Sequence, residues 1–148
     1  LQHKALCMSE DTFYPQAQRG LPGLLRAWLT HGRGDSERLA VLLADTARVA
    51  SLGQPASNPD GETLEQWAAE GGAPLWAPKA ALFLLMQMPA RPVPQGPDDA
   101  CAWAYCWLRM REHDSPTAAL MALPEHLRQP LAWPIEAAWQ DLTHQRLI

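Results

Sequence analysis

Apolar residues recur at helical spacing along most of the chain. In residues 35–52 (DSERLAVLLADTARVASL), Leu39, Leu42, Leu43, Ala47 and Ala50 form a one-sided apolar stripe, with Glu37, Arg38, Asp45 and Arg48 toward water. That pattern predicts an amphipathic helix. Residues 22–31 (PGLLRAWLTH) and 62–70 (ETLEQWAAE) read the same way, with Gly32, Gly53 and Gly71 as stops. Thr63 and Gln66 have the spacing of a capping box. Residues 54–61 (QPASNPDG) predict a loop, because two prolines, a Gly and an Asn cannot continue either neighbouring helix.

A fourth helix is predicted over residues 78–88. Residues 89–97 (PARPVPQGP) then place four prolines in nine positions, the composition of a semi-rigid linker. Beyond it, residues 98–113, residues 115–128 with a break at Pro124, and residues 134–144 complete seven or eight helices, most of them short. The expected organisation is a single all-helical domain, 1–148, with sub-units 21–88 and 98–148 on either side of the linker. Ala100 to Leu108 carries no charge on any face, so its helix is either buried all round or covered on one side by a partner. Trp103 and Trp107 share one face with Ala100 and Ala104, whereas Cys101, Tyr105 and Leu108 occupy the next.

One long-range feature stands out. Residues 74–81 (PLWAPKAA) and 130–137 (PLAWPIEA) share a Pro, Leu, Trp, Pro, Ala punctuation. This suggests an internal duplication giving two stacked helical units, each copy making one turn and then starting a helix at its second proline.

Composition agrees on the fold class. The 148 residues include 24 Ala and 22 Leu against 3 Val and 2 Ile, which favours helices over strands and predicts an all-α protein. The preponderance of Arg over Lys, with the Ala and Trp content, suggests a GC-rich bacterial genome. A net charge of −4 lacks the clustered basic residues that phosphate backbones demand, so nucleic acid is not an expected partner. Hydrophobic residues reach 47% and charged residues only 19%, a surplus that leaves apolar surface for a protein partner or a second copy of the chain. No apolar run approaches the roughly 18 to 20 residues of a membrane span. The opening residues lack a charged-then-apolar leader, and the absence of an initiating Met leaves an upstream segment open. Cys7, Cys101 and Cys106 form no CxxC or Cys/His cluster, which suggests buried structural thiols and a reduced, cytoplasmic setting.

Chemistry is sparse. Glu112-His113-Asp114 reads as a solvated helix end, since adjacent side chains diverge where catalysis or metal binding needs convergence. Asp141 and His144 could meet on one helix face, yet no second such pair completes a metal site. Asp98 and Asp99 suit a helix start. The serines lack a nucleophile elbow, and neither common phosphate loop is present. Arg33-Gly34-Asp35 reads as a turn into an Asp-capped helix, and His3, His31, His126 and His144 are scattered. No catalytic, cofactor or metal residue is assigned.

The order of Ala102-Trp-Ala-Tyr-Cys-Trp-Leu-Arg109, an acidic turn, a short Ala/Leu helix over residues 117–123, Leu127-Arg-Gln-Pro and Glu136-Ala-Ala138 resembles small helical proteins of unknown function encoded beside type VI secretion genes in proteobacteria. Residues 21–49 are similar to the opening helices of that group, without the aromatic pair that closes them there. The resemblance implies an accessory, adaptor or toxin-immunity role. The resulting expectation is a non-enzymatic protein-interaction module whose contacts are Trp76, Trp103, Trp107, Trp133, Arg109 and Arg111, mixed aromatic and Arg groups of the kind that dominate interfaces. The alternative is a small-molecule-binding or enzymatic bundle with an aromatic-lined pocket, in which Glu112, His113, Asp141 and His144 would be the polar participants.

Overall fold

The computed structural model describes residues 10–147, and among these the chain forms eight α-helices and no strand. They are α1 (Glu10–His31), α2 (Ser36–Val49), α3 (Gly61–Glu70), α4 (Trp76–Leu85), α5 (Pro97–Met110), α6 (Pro116–Met121), α7 (Glu125–Arg128) and α8 (Ala132–Leu147). The fold is all-α. None of the described helices is long and apolar enough to cross a membrane. Cys7 and His3 lie outside the described residues.

The chain divides into two compact units, one of Leu21–Pro92 and the other of Leu1–Gly20 with Val93–Ile148. Within the first, α2 packs against both α3 and α4. Its inward stripe is Leu39, Ala40, Leu43, Ala44 and Ala47, all buried, whereas Leu42 and Ala50 of the predicted stripe turn away and are only half-buried; Leu64 and Ala68 of α3 and Ala77, Ala80, Ala81, Leu82 and Leu85 of α4 are buried too. Polar groups tie the helix ends together. Asp35 accepts from the Arg38 N–H and Asp60 from the Thr63 N–H, each satisfying a donor that the first turn leaves open. Capping of α3 therefore belongs to Asp60, with Thr63 as the donor, and not to a box begun at Thr63. Glu37 reaches across to accept from the Gly61 N–H at 3.0 Å. Arg26 donates to the Ala68 carbonyl at 2.6 Å, and Trp28 Nε1 to the Leu39 carbonyl at 3.1 Å.

Helix α2 stops earlier than the glycine pattern predicts. Leu52 N–H bonds the Ala47 carbonyl and Ser51 N–H the Arg48 carbonyl, a Schellman arrangement that puts Ser51, not Gly53, in the left-handed region at φ 59°. Gly53 has another use: a Cβ there would run into the Cβ of Trp76.

In the second unit α5 packs on α8, and α6 on α7 and α8. Every residue from Ala100 to Leu108 is buried, as the uncharged run requires. Pro97 opens α5 at its first turn, where the missing N–H costs nothing, and Asp98 and Asp99 follow at the positive end of the helix dipole. Ser115 caps α6, and Pro124 separates α6 from α7. The two Pro, Leu, Trp, Pro, Ala motifs are built alike, though one step away from the expected pattern. Each helix starts two residues after the first proline, at Trp76 and at Ala132, so the second proline sits inside the first turn instead of beginning it.

The largest departure from the sequence pattern is α1, which begins at Glu10 and continues through Pro15, Gly20 and Pro22 where a start at Pro22 is predicted. Local propensity loses to packing here. Phe13, Ala17 and Gly20 are all buried, and Gly20 lies so close to the start of α5 that an added Cβ would strike the Asp98 backbone carbonyl. Helix propensity alone makes Gly20→Ala stabilising by up to ~1 kcal/mol. The backbone contact reverses the sign, and denaturant unfolding should show Gly20→Ala less stable by about 1–3 kcal/mol.

Candidate interaction surface

Tyr105 lies on the side of α5 that faces α1. Its ring meets that of Tyr14 edge to face, with centroids 5.9 Å apart at 66°. One helical turn later, Arg109 lays its guanidinium 3.7 Å from the Tyr105 centroid and donates to the Tyr105 carbonyl at 3.3 Å. Burial pushes the Tyr105 phenol above its ordinary pKa, opposed by the Arg109 charge and by the Gln18 side-chain hydrogen bond. Tyr105 is buried, but Tyr14 keeps 43% of its surface exposed, so the stack opens to solvent at the α1 edge. At the start of α5, Arg19 forms an ion pair with Asp98 at 3.3 Å; both side chains are about half exposed, so the pair contributes little.

A second aromatic group forms where α5 ends. Trp107 donates its Nε1–H to the Ala119 carbonyl at 2.9 Å and is only 6% exposed. The His113 ring lies 5.4 Å from it at 35°, and the Arg111 guanidinium lies 5.6 Å from the Trp107 centroid. The 112–114 cluster is thus only partly the solvated end that its sequence suggests. Glu112 and Asp114 are exposed, whereas His113 is tucked in with Nε2 buried and lacking a hydrogen-bond partner. Desolvation, then the Arg111 charge, hold its pKa below 6.5, against a hydrogen bond to the Trp107 backbone and the Asp114 charge.

These placements redraw the expected contact set. Trp103 is 1% exposed and Trp107 lies under His113, so both belong to the interior and are unavailable to a partner. Trp76 lies in the other unit, half-buried against Trp67 with centroids 6.0 Å apart at 82°. Trp133 is half-buried near the start of α8. Of the six, Trp76, Trp133 and Arg109 are half-buried and Arg111 is exposed, and each of the two arginines is held over an aromatic ring. Tyr14 was missed because it precedes Pro15 in a stretch whose prolines and glycine mask its helix.

Asp141 is buried on α8 while His144 is exposed, and no group of three or more His, Cys, Asp or Glu among the described residues could hold a metal ion. Cys101 and Cys106 are buried thiols, and burial, reinforced by the Asp98 charge, pushes Cys101 up to about 12. A groove of about 340 Å³ runs along α2; among the described residues it is lined by Asp35, Glu37, Arg38, Val41 and Leu42, which are aliphatic or charged. Comparison with protein-family models, curated proteins and solved structures found no match.

Two outcomes follow from the buried groups. Maleimide at neutral pH should leave Cys101 and Cys106 unmodified in the folded chain and label both after denaturation, as read by peptide mass. His113 is held neutral in the folded state, whereas the unfolded chain returns it to its ordinary value. The stability that this neutral form contributes is therefore full above pH 6.5 and is lost as pH falls toward the lowered folded value. Melting curves from pH 7.5 to 5 should show a smaller acid loss in His113→Gln than in the wild type.

Proposed function

We propose that the chain is a non-catalytic protein–protein interaction module that engages its partner through the Tyr14–Tyr105–Arg109 surface. The stack itself carries this reading: an aromatic ring open to solvent, braced by a buried second ring, beside a guanidinium whose orientation is already set. Tyr and Arg are enriched among the residues that dominate interface energies, and groups fixed before association lose less conformational entropy on binding. The resemblance of residues 102–138 to helical proteins encoded beside type VI secretion genes supports a bacterial setting and an accessory, adaptor or toxin-immunity role, and the free, buried Cys101 and Cys106 suit a reduced, cytoplasmic compartment.

Tagged wild-type protein in a bacterial lysate provides the partner for titration calorimetry. Tyr14→Ala and Arg109→Ala should each weaken binding by at least ~2 kcal/mol, about thirtyfold, with unchanged circular dichroism. Met121→Ala, at an exposed apolar position on α6, should bind as the wild type does. Wild-type affinity in both stack variants would overturn the proposal.

A further inference from the structure

The buried stripe of α2 leaves the opposite side of the helix to Arg38, Val41, Leu42, Asp45 and Val49 at 100° per residue. This face mixes apolar and charged groups in an unusual order. Val41 and Leu42 are half-exposed at its middle and Val49 is 86% exposed, while the groove beside Arg38, Val41 and Leu42 offers an aliphatic side chain a place to seat. Arg38 precedes the point between Val41 and Leu42 by as many residues as Asp45 follows it, roughly 5 Å along the axis on each side. Asp35 and Arg48 are placed symmetrically about the same point.

We propose that this face pairs with the same face of a second copy of the chain, the two α2 helices running antiparallel about a two-fold axis between Val41 and Leu42. The charge pattern selects this occupant and this direction. In an antiparallel pair Arg38 lies level with Asp45 of the partner subunit, twice by symmetry, while Val41 and Leu42 flank the axis. A parallel pair would set Arg38 against Arg38 and Asp45 against Asp45. Such self-complementarity is what an isologous interface requires, since a single patch must match itself after a half turn. Asp45 already accepts from Arg48 at 3.0 Å, so the incoming guanidinium completes a three-membered charge cluster at each end. One helix face is small beside the ~800 Å² per partner of a standard interface, so association is weak and concentration-dependent. This surface lies apart in sequence from the Tyr14–Tyr105–Arg109 stack, and its test is independent of that reading.

Sedimentation equilibrium of the full chain between about 10 µM and 1 mM, at low salt to limit screening, measures the association. The mass should climb from 16.4 kDa toward twice that value. Arg38→Glu or Asp45→Arg alone turns two symmetry-related attractions into repulsions and should weaken association about tenfold. The double variant Arg38→Glu/Asp45→Arg restores opposite charges and should recover wild-type association within about threefold. Circular dichroism checks that all three remain helical. A monomer throughout the range, a dimer indifferent to the single reversals, or a double variant that fails to recover would each overturn the proposal.

Discussion

A helix without a polar face must be enclosed, and the unit of Leu1–Gly20 with Val93–Ile148 is organised around that constraint. From Ala100 to Leu108, α5 is buried on every side, with Trp103 and Trp107 as its largest groups. At about 1.5–3 kcal/mol for each large apolar side chain removed from water, this enclosure far exceeds the fraction of a kcal/mol expected from the exposed Arg19–Asp98 pair. Enclosure also sets geometric terms. The α1 helix comes so close to α5 at Gly20 that no side chain fits between its backbone and that of Asp98, and it runs helical through Pro15 and Pro22. Trp107 satisfies its indole N–H on Ala119 because a donor buried without an acceptor would cost about 1–3 kcal/mol.

The unit of Leu21–Pro92 relies on small residues and end-to-end hydrogen bonds. Ala40, Ala44 and Ala47 alternate with Leu39 and Leu43 on α2, so neighbouring helices approach closely while the leucines fill the space between them. Gly61 brings α3 against Ser36 and Glu37, and the Glu37 carboxylate bonds its N–H at that approach. Short helices of this kind gain little from propensity alone, so the caps at Asp35 and Asp60 and the Arg26 bond to Ala68 fix where each one begins and ends. The core and the surface of the other unit share side chains. Tyr105 is part of the α5 core and also the platform on which Arg109 is held, while Arg111 and His113 lie against the ring of Trp107.

The sequence by itself determined the helical class and most helix positions. Scarce β-branched residues, the stripe on α2, the stops at Gly32 and Gly71, the Ser115 cap and the break at Pro124 are local signals, and each acts within a few residues of where it is written. The uncharged run of α5 likewise required that the helix be covered. Only the tertiary structure decided what covers it. Trp103 and Trp107 have the composition of an interface and the surroundings of a core, a distinction that depends on neighbours such as Ala119, twelve residues away along the chain from Trp107. The first half of α1, the stack of Tyr14 on Tyr105 and the tucking of His113 against Trp107 are likewise fixed by packing energy. That energy overrides local propensity wherever a helix can bury a full apolar side, and periodicity along one chain carries no record of which side chains it will meet.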